Sequence, residues 1–320
     1  MKHSSSIPPY VLPETVDFLN LNWLLKYYPE VDVNKTAVFV HHVKNVMANT
    51  TCHRHDFYEL AVVLSGRGYY AYQGNCYELS AGDAYILPPG VIHQYYEQKY
   101  LEVVNFLWYP ERMKTEFQAL EEIPAFRLFF DLEPKSRNFF QFEHRLVLTP
   151  EQLAEVRMYE LRMRREQENR EEGYILRLNW LMCDLLLILS RYYSKSQGNN
   201  PANELMRLNN VLQYMEKHLG EPLSRGQIAK QFGSGEQYFA KRFREIMSET
   251  YSDYLQKIRL RHVQNLLQTT ELSLTEIARK CGFCDSNYLC YVFRKKYGVP
   301  PHQYRLHGGI NRGEKEGQNN

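Results

Sequence analysis

Three histidines and a glutamate are the residues of this chain best suited to hold a metal ion or a hydroxylated ligand. His53 and His55 stand two apart in HRHDFYELAVVLSG, Glu59 follows four residues later, and His93 ends GDAYILPPGVIH. On a strand, period-two alternation puts both imidazoles of HRH on one face. Imidazole nitrogen and carboxylate oxygen are donors that manganese, iron, nickel and zinc accept. Three roles stay open for such a set. Around a metal it can activate oxygen or polarise a substrate. As a sensor it can hydrogen-bond an effector's hydroxyls, with or without metal. As a structural group it can pair internally and bind nothing.

These residues sit among short β-like runs from Ala37 to about Leu107. FYELAVVL (57–64) is followed by SGRG, YYAY, QGN, CYEL, AGD and AYILPPG, a spacing that suits a sandwich or small barrel with hairpin connections. HxHx3Ex6G over His53, His55, Glu59 and Gly66, then Gx5PxGx2H over Gly82, Pro88, Gly90 and His93, resemble the two cupin motifs. The resemblance implies a double-stranded β-barrel over about 37–110, with His93 brought alongside His53 and His55. Met47 and Glu97 depart from it, standing where a first-motif glycine and a second-motif asparagine would be. Tyr69, Tyr70, Tyr72, Tyr85, Tyr95 and Tyr96 supply rings that can stack on the C–H faces of a sugar. Arg67 adds a cationic donor suited to a sugar acid. HRHDFYELAVVLSGRG with PPGVIHQYYE is similar to the sugar regulators of the rhamnose type. The expected effector set is His53, His55, Glu59, His93, Arg67, Tyr70 and Tyr72. His53, His55, Glu59 and His93 are also the candidate metal ligands, and a divalent metal is the candidate cofactor.

The last third of the chain states one pattern twice. LSRGQIAKQFGSGEQYFAKRFREIMSETYSDYL (223–255) and SLTEIARKCGFCDSNYLCYVFRKKYGVPPHQYR (273–305) align at Ile228-Ala229 with Ile277-Ala278, Phe243-Arg244 with Phe293-Arg294, and Tyr254 with Tyr304. Each has a short amphipathic helix, a small-residue turn and a longer helix with paired cations, which makes a tandem helix-turn-helix. Phe239, Phe243 and Ile246, then Leu289, Val292 and Phe293, fall at helical spacing for a core face. Gln237, Ala240 and Lys241, then Asn287, Cys290 and Tyr291, fall opposite, where they can meet base edges in a major groove. Arg244, Arg294 and Lys295 are placed for phosphates. Gly298 is suited to end its helix left-handed, before Pro300 and Pro301. Between the copies, 251–267 reads as one rigid helix. The whole stretch 205–305 resembles the DNA-binding domain of AraC/XylS-type transcription regulators, through the GF turn, FRKKYG and the PxxYR ending. The resemblance implies a two-motif DNA reader, an activator by habit of the family, that touches RNA polymerase. Ser248 stands where the first copy commonly has glycine.

Charge follows this division. Residues 203–306 hold 16 Lys+Arg against 10 Asp+Glu, whereas 1–202 hold 21 against 25. A basic module on an acidic body fits a polyanionic partner for the module alone. No apolar leader opens MKHSSSIPPYVLPETVDF, and Leu178–Leu189 is too short to span a bilayer. Six cysteines in such a chain read as reduced thiols, and a cytoplasmic location is expected. Cys281 and Cys284 flank the Gly282-Phe283 turn and read as structural.

The expected fold is multidomain: a cupin-like β-barrel, a helical segment and an all-α tandem reader. The divisions are an arm (1–36), an effector domain (37–148), dimerisation helices (149–193), a linker (194–203), the DNA-binding domain (204–306) and a disordered tail (307–320). Thr149 and Pro150 open the helices, with Leu153, Val156 and Leu161 as the apolar side of the first. The chain is expected to be a homodimeric, non-enzymatic regulator, each module reading an asymmetric site of about two turns. A cupin metalloenzyme carrying a DNA-binding module, or a ligand-independent regulator, are the alternatives.

Overall fold

The computed structural model describes residues 16–306, apart from 27, 30, 31, 33, 34, 47–50, 73, 74, 141, 143, 144 and 198–202. The tail, half of the linker (198–202), and Met47 therefore lie outside the described residues. Two compact units divide the chain, Met1–Met206 and Arg207–Asn320.

The first unit is built on β1 (Asp17–Leu19), β2 (Val38–Val46), β3 (His53–His55), β4 (Tyr58–Tyr72), β5 (Asn75–Ser80), β6 (Asp83–Leu87), β7 (His93–Trp108) and β8 (Leu146–Val147). They form one sheet in the order β1-β3-β7-β4-β6-β8, with β2 added on β7 and β5 on β4. Tyr58 pairs with Trp108 at one end of the long β4–β7 ladder and Tyr72 with His93 at the other. SGRG, expected as a break, does not interrupt β4. The strand runs through it with register shifts against β7 at Val63/Ser65, Ser65/Arg67 and Arg67/Tyr69, which bend a ladder without ending it. Gly66 makes this feasible: its φ is +79°, and a Cβ there would stand 2.2 Å from the Tyr100 carbonyl oxygen.

Period-two alternation then sends Ala61, Val63, Tyr70, Tyr72, Tyr85, Leu87, Tyr95 and Val103 into a common interior with Phe142. The Phe-rich stretch after β7, which has no clear periodicity in the sequence, forms α1 (Pro110–Glu121), α2 (Pro124–Arg127), a wider turn over Leu128–Leu132, and α3 (Glu133–Phe140). Phe126, Phe129 and Phe130 are buried there. On α3 the fully buried Arg137 donates from Nε to Glu133 Oε1 (2.8 Å) and from Nη2 to Oε2 (2.6 Å).

Thr149 caps α4 (Pro150–Asn169) through a reciprocal capping box with Gln152, and Pro150 takes the first position, both as the sequence implies. The buried side of α4 differs from the expected apolar stripe. Leu161 is exposed, and Val156, Tyr159, Glu160, Met163 and Gln167 face inward. The physical reason is the partner. Gln167 accepts from the Val40 backbone N–H (3.0 Å) and donates to the Val40 carbonyl (3.3 Å), completing ladder bonds on β2. Next to it, His42 on β2 sits between Glu160 Oε1 (2.8 Å) and Glu102 Oε1 (2.9 Å). An edge with open backbone groups calls for polar side chains. The following helix, α5 (Tyr174–Gln197), runs four residues past the boundary expected at 193 and buries Leu178, Met182, Leu185, Leu186, Leu189 and Tyr193. Leu176 and Trp180 on α5, like Met158 and Leu161 on α4, remain exposed.

The second unit follows α6 (Glu204–Lys217) with α7 (Arg225–Phe232), α8 (Glu236–Met247), α9 (Tyr251–Thr269), α10 (Leu274–Lys280), α11 (Ser286–Tyr297) and α12 (Pro301–Leu306). Capping boxes start both first helices of the repeat, Ser224 with Gln227 and Ser273 with Glu276. The expected core faces are buried, Phe239, Phe243 and Ile246 in the first copy and Leu289, Val292 and Phe293 in the second, and so are Ile228, Ala229, Phe232, Ile277 and Ala278. Gly298 ends α11 at φ +77°, and Ser248 ends α8 in the same left-handed region at φ +59°. Serine there keeps the cap at a steric cost glycine would not bear. Cys281 is buried in this core, and burial pushes its thiol up to about 12, which fits a packing role rather than chemistry.

Candidate effector cleft and nucleic-acid interface

In the first unit β1 pairs in parallel with β3, Asp17 opposite His53 and Leu19 opposite His55, and His53 in turn stands opposite His93 on β7. These strands bring the three histidines together, with ring centroids 4.2 Å apart for His53 and His93 and 5.2 Å for His55 and His93. Glu59, one turn of chain beyond β3, joins them from β4. The donor atoms of His55, Glu59 and His93 all lie within 4.8 Å of one another, and all three residues are buried.

Each ring is oriented by a backbone carbonyl. Nδ1 of His53 contacts Thr51 O at 2.9 Å, Nδ1 of His55 contacts Phe57 O at 2.7 Å, and Nδ1 of His93 contacts Val91 O at 3.1 Å. A carbonyl only accepts, so each Nδ1 carries a proton. Nε2 of His93 has no hydrogen-bond partner, nor does Nε2 of His55, although Glu59 Oε2 lies 3.2 Å from the latter. Burial, reinforced by His53, pushes His93 down to about 3, so its ring is neutral near pH 7. Burial pushes the Glu59 carboxyl up, but His55 and its neighbours outweigh this and hold it below the usual carboxylate range.

His53, His55 and Glu59 open into a cleft of about 450 Å³, a size that holds a small ligand. Its other walls include Asp17, Trp23, Lys26, His41, Tyr95 and Asn105. Trp23 meets the His41 ring edge-on with centroids 5.2 Å apart. Burial pushes His41 down to about 4, against the pull of Glu59. Asn105 Oδ1 is buried with no hydrogen-bond partner.

Three members of the expected effector set stand elsewhere. Tyr70 and Tyr72 are packed in the unit's aromatic interior, and Arg67 is exposed on β4; none lines the cleft. Tyr70 and Tyr72 face the same interior as Tyr95 and Val103, which do line the cleft, but pack against Phe142 and Arg137. Sequence reasoning missed Asp17, Trp23, Lys26, His41 and Asn105. His41 carried a signal, as a polar residue inside the alternating run AVFVHHV; the arm residues carried none, because their place depends on pairing with β3.

In the second unit the expected faces are where the repeat put them. Gln237 and Asn287 are the second residues of α8 and α11, Ala240 and Cys290 the fifth, Lys241 and Tyr291 the sixth, and Arg244 and Arg294 the ninth. Gln237, Lys241, Arg244, Asn287, Tyr291, Arg294 and Lys295 are exposed, while Ala240 and Cys290 are half-buried beneath them. Lys241 Nζ lies 3.9 Å from Glu245, which a shorter 2.8 Å contact ties to Arg242. Tyr238 and Tyr288, each next to the leading amide, are also exposed and were not anticipated. The connector α9 spans 19 residues, roughly 28 Å at 1.5 Å per residue. Two wider hollows of about 700 and 860 Å³ around Arg259 and Gly282 lie on this unit and carry no comparable set of convergent ligands.

A model of the AraC-like ligand binding domain matches residues 36–130, and a helix-turn-helix domain model matches residues 228–307. The chain is 26% identical over 274 residues to the HTH-type transcriptional activator RhaR of Escherichia coli O139:H28 (strain E24377A / ETEC), covering 86% of this chain and 92% of that protein. RhaR of Shigella flexneri serotype 5b (strain 8401) matches with the same identity and coverage. A solved AraC-type regulator from Chromobacterium violaceum is 26% identical over 33% of this chain and 96% of its own, with a TM-score of 0.32.

Proposed function

We propose that this chain, an AraC-family DNA-binding transcription regulator with a ligand-binding domain, is a cytoplasmic, non-enzymatic activator that responds to a sugar or sugar derivative. The observation that carries the reading is the cleft itself. It combines the rings of Trp23 and Tyr95 with polar groups on His41, His53, Glu59 and Asn105, and a sugar offers C–H faces for the former and hydroxyls for the latter. Activation is supported by likeness to proteins named as transcriptional activators, and it entails contact with RNA polymerase. The effector acts by binding one arrangement of the regulator better than another. Titrating neutral sugars and sugar acids against the chain on promoter DNA, with run-off transcription as the readout, tests this. A sugar that raises transcription and whose affinity falls in Trp23→Ala supports the sensor; if none changes melting, DNA occupancy or transcription, the reading fails.

The exposed apolar residues of α4 and α5 support a homodimer through these helices. Sedimentation that finds only monomer at micromolar concentration would remove that part.

On the DNA side, Gln237, Ala240, Lys241, Asn287, Cys290 and Tyr291 read bases, and Arg244, Arg294 and Lys295 hold phosphates. Because Gln237/Lys241 differ from Asn287/Tyr291, each module reads two unlike half-sites, an asymmetric site of about two turns. Lys241→Ala or Asn287→Ala is expected to cost about 1–3 kcal/mol on the cognate site and to relax one position. Arg294→Ala is expected to weaken cognate and random duplexes alike and to flatten the salt dependence. Fluorescence anisotropy across a salt series checks both, and equal losses on all sequences for all three variants would refute the base-reading roles.

A further inference from the structure

The two reading helices share a register but not a charge. Residues of α8 and α11 correspond at an offset of fifty, with Phe243-Arg244 matching Phe293-Arg294. On that alignment Glu236 of α8 stands where α11 has Ser286, and Glu245 stands where it has Lys295. So α8 carries Lys241, Arg242 and Arg244 against Glu236 and Glu245, whereas α11 carries Arg294, Lys295 and Lys296 and no acid. The carboxylates of the first copy also hold its cations. Glu245 Oε2 accepts from Arg242 Nη1 at 2.8 Å, and its Oε1 lies 3.9 Å from Lys241 Nζ. Glu236 Oε2 accepts from Arg225 Nε at 3.2 Å. In the second copy Arg294, Lys295 and Lys296 are all exposed, and none forms an ion pair with a described residue. Asp285, the acid that precedes α11, is engaged as its cap: Oδ1 accepts from the Tyr288 amide at 2.7 Å.

Phosphate contacts supply the affinity that does not depend on sequence, each through the counterions it releases. A carboxylate at a phosphate-facing position acts the other way, repelling the backbone and competing for the cation beside it. From this asymmetry we infer that the two helices have unequal tasks on DNA, an inference that rests on the DNA-reading role of both. The second helix, α11, anchors the regulator on the duplex backbone whatever the sequence. The first, α8, keeps Arg244 as its free backbone cation and is seated only where its half-site supplies the right base edges. Glu245 sets the difference. It occupies the place of Lys295, and it engages Arg242 and Lys241 on its own helix. The half-site under α8 is therefore the strict one, and the half-site under α11 is the tolerant one.

The test measures binding of the full chain to a random-sequence duplex across roughly 50 to 200 mM salt. Replacing both Arg294 and Lys295 with alanine is expected to weaken binding on the order of 10-fold. It should also flatten the slope of log K against log salt by about 2, since each phosphate contact contributes about 0.9. Replacing both Lys241 and Arg244 with alanine is expected to weaken binding only about 3-fold and to flatten the slope by about 1. Glu245→Lys, which gives α8 the charge that α11 has at this position, should tighten binding about 3-fold and steepen the slope by about 1. Glu245→Gln, which releases Lys241 and Arg242 without adding a cation, should tighten it by less. Circular dichroism confirms that the variants fold. Equal losses in the two double variants overturn the division of tasks and leave DNA reading by both helices standing. So does binding that fails to tighten in both folded Glu245 variants. Unchanged binding in all four variants overturns the DNA-reading role of these faces as well.

Discussion

Replacing Glu133 with alanine is expected to destabilise the N-terminal unit by about 3–5 kcal/mol, the range for stranding one partner of a buried ion pair. Glu133 and Arg137 are each 1% exposed, and the guanidinium's Nε and Nη2 both bond the one carboxylate. Arg137 Nη1 has no hydrogen-bond partner. Burial pushes the guanidinium down, but Glu133 more than restores it and holds it above its ordinary value. Arginine does not escape an apolar site by losing its proton. The rings of Tyr72, Tyr85 and Phe142 stand 5.0–5.8 Å from the guanidinium carbon and help to hold the cation, yet they carry no countercharge. Urea unfolding followed by tyrosine fluorescence measures the loss. Glu133→Ala combined with Arg137→Met should recover most of it, because removing both charges leaves nothing unpaired. A loss below about 1 kcal/mol in the single variant would mean the charge finds water that this packing denies it.

Gly282→Ala is expected to cost the second unit about 3 kcal/mol or more and to abolish tight DNA binding with it. The residue has φ +74°, and a Cβ would stand 2.2 Å from the Leu219 carbonyl oxygen and 2.5 Å from Arg259 Nη2. A left-handed non-glycine residue costs roughly 1–2 kcal/mol by itself, and the backbone clash adds to it. The displaced arginine matters as well, since Arg259 donates to Leu219 O (3.2 Å) and Glu221 O (3.0 Å), fastening α9 to the segment before α7. Gly298→Ala is the control. It shares the conformation at φ +77° but has open space where its Cβ would go, so only the left-handed cost should register. Ser248 already tolerates that cost in the first copy. Thermal unfolding of both variants decides the matter; equal shifts would show that the close approach to Leu219 relaxes freely.

What could be read from the sequence follows the range of the interactions that fix it. The helices of the repeat were legible because their signals are local: serine caps, a glycine turn, and Phe and Leu at helical spacing, all written twice fifty residues apart. The histidine cluster was legible in part. Period-two alternation pairs His53 with His55, but their convergence with His93 depends on β3 and β7 lying side by side. Tyr70 and Tyr72 do face the unit's interior, but that they pack against Phe142 and Arg137 rather than line the cleft depends on long-range contacts that no local rule gives. Which side of α4 turns inward was not legible either. The inward side of α4 was chosen by an open strand edge more than a hundred residues away in sequence, which prefers Gln167 and Glu160 to leucine.

That strand edge belongs to the cleft wall as well. On β2, His41 faces the cleft, and its neighbours Val40 and His42 are gripped by Gln167 and Glu160 of α4. Successive side chains of a strand stand on opposite faces of one backbone. The cleft wall and the seat of α4 are therefore not separate structures but the two sides of residues 40–42, as a door's handle and latch share one panel.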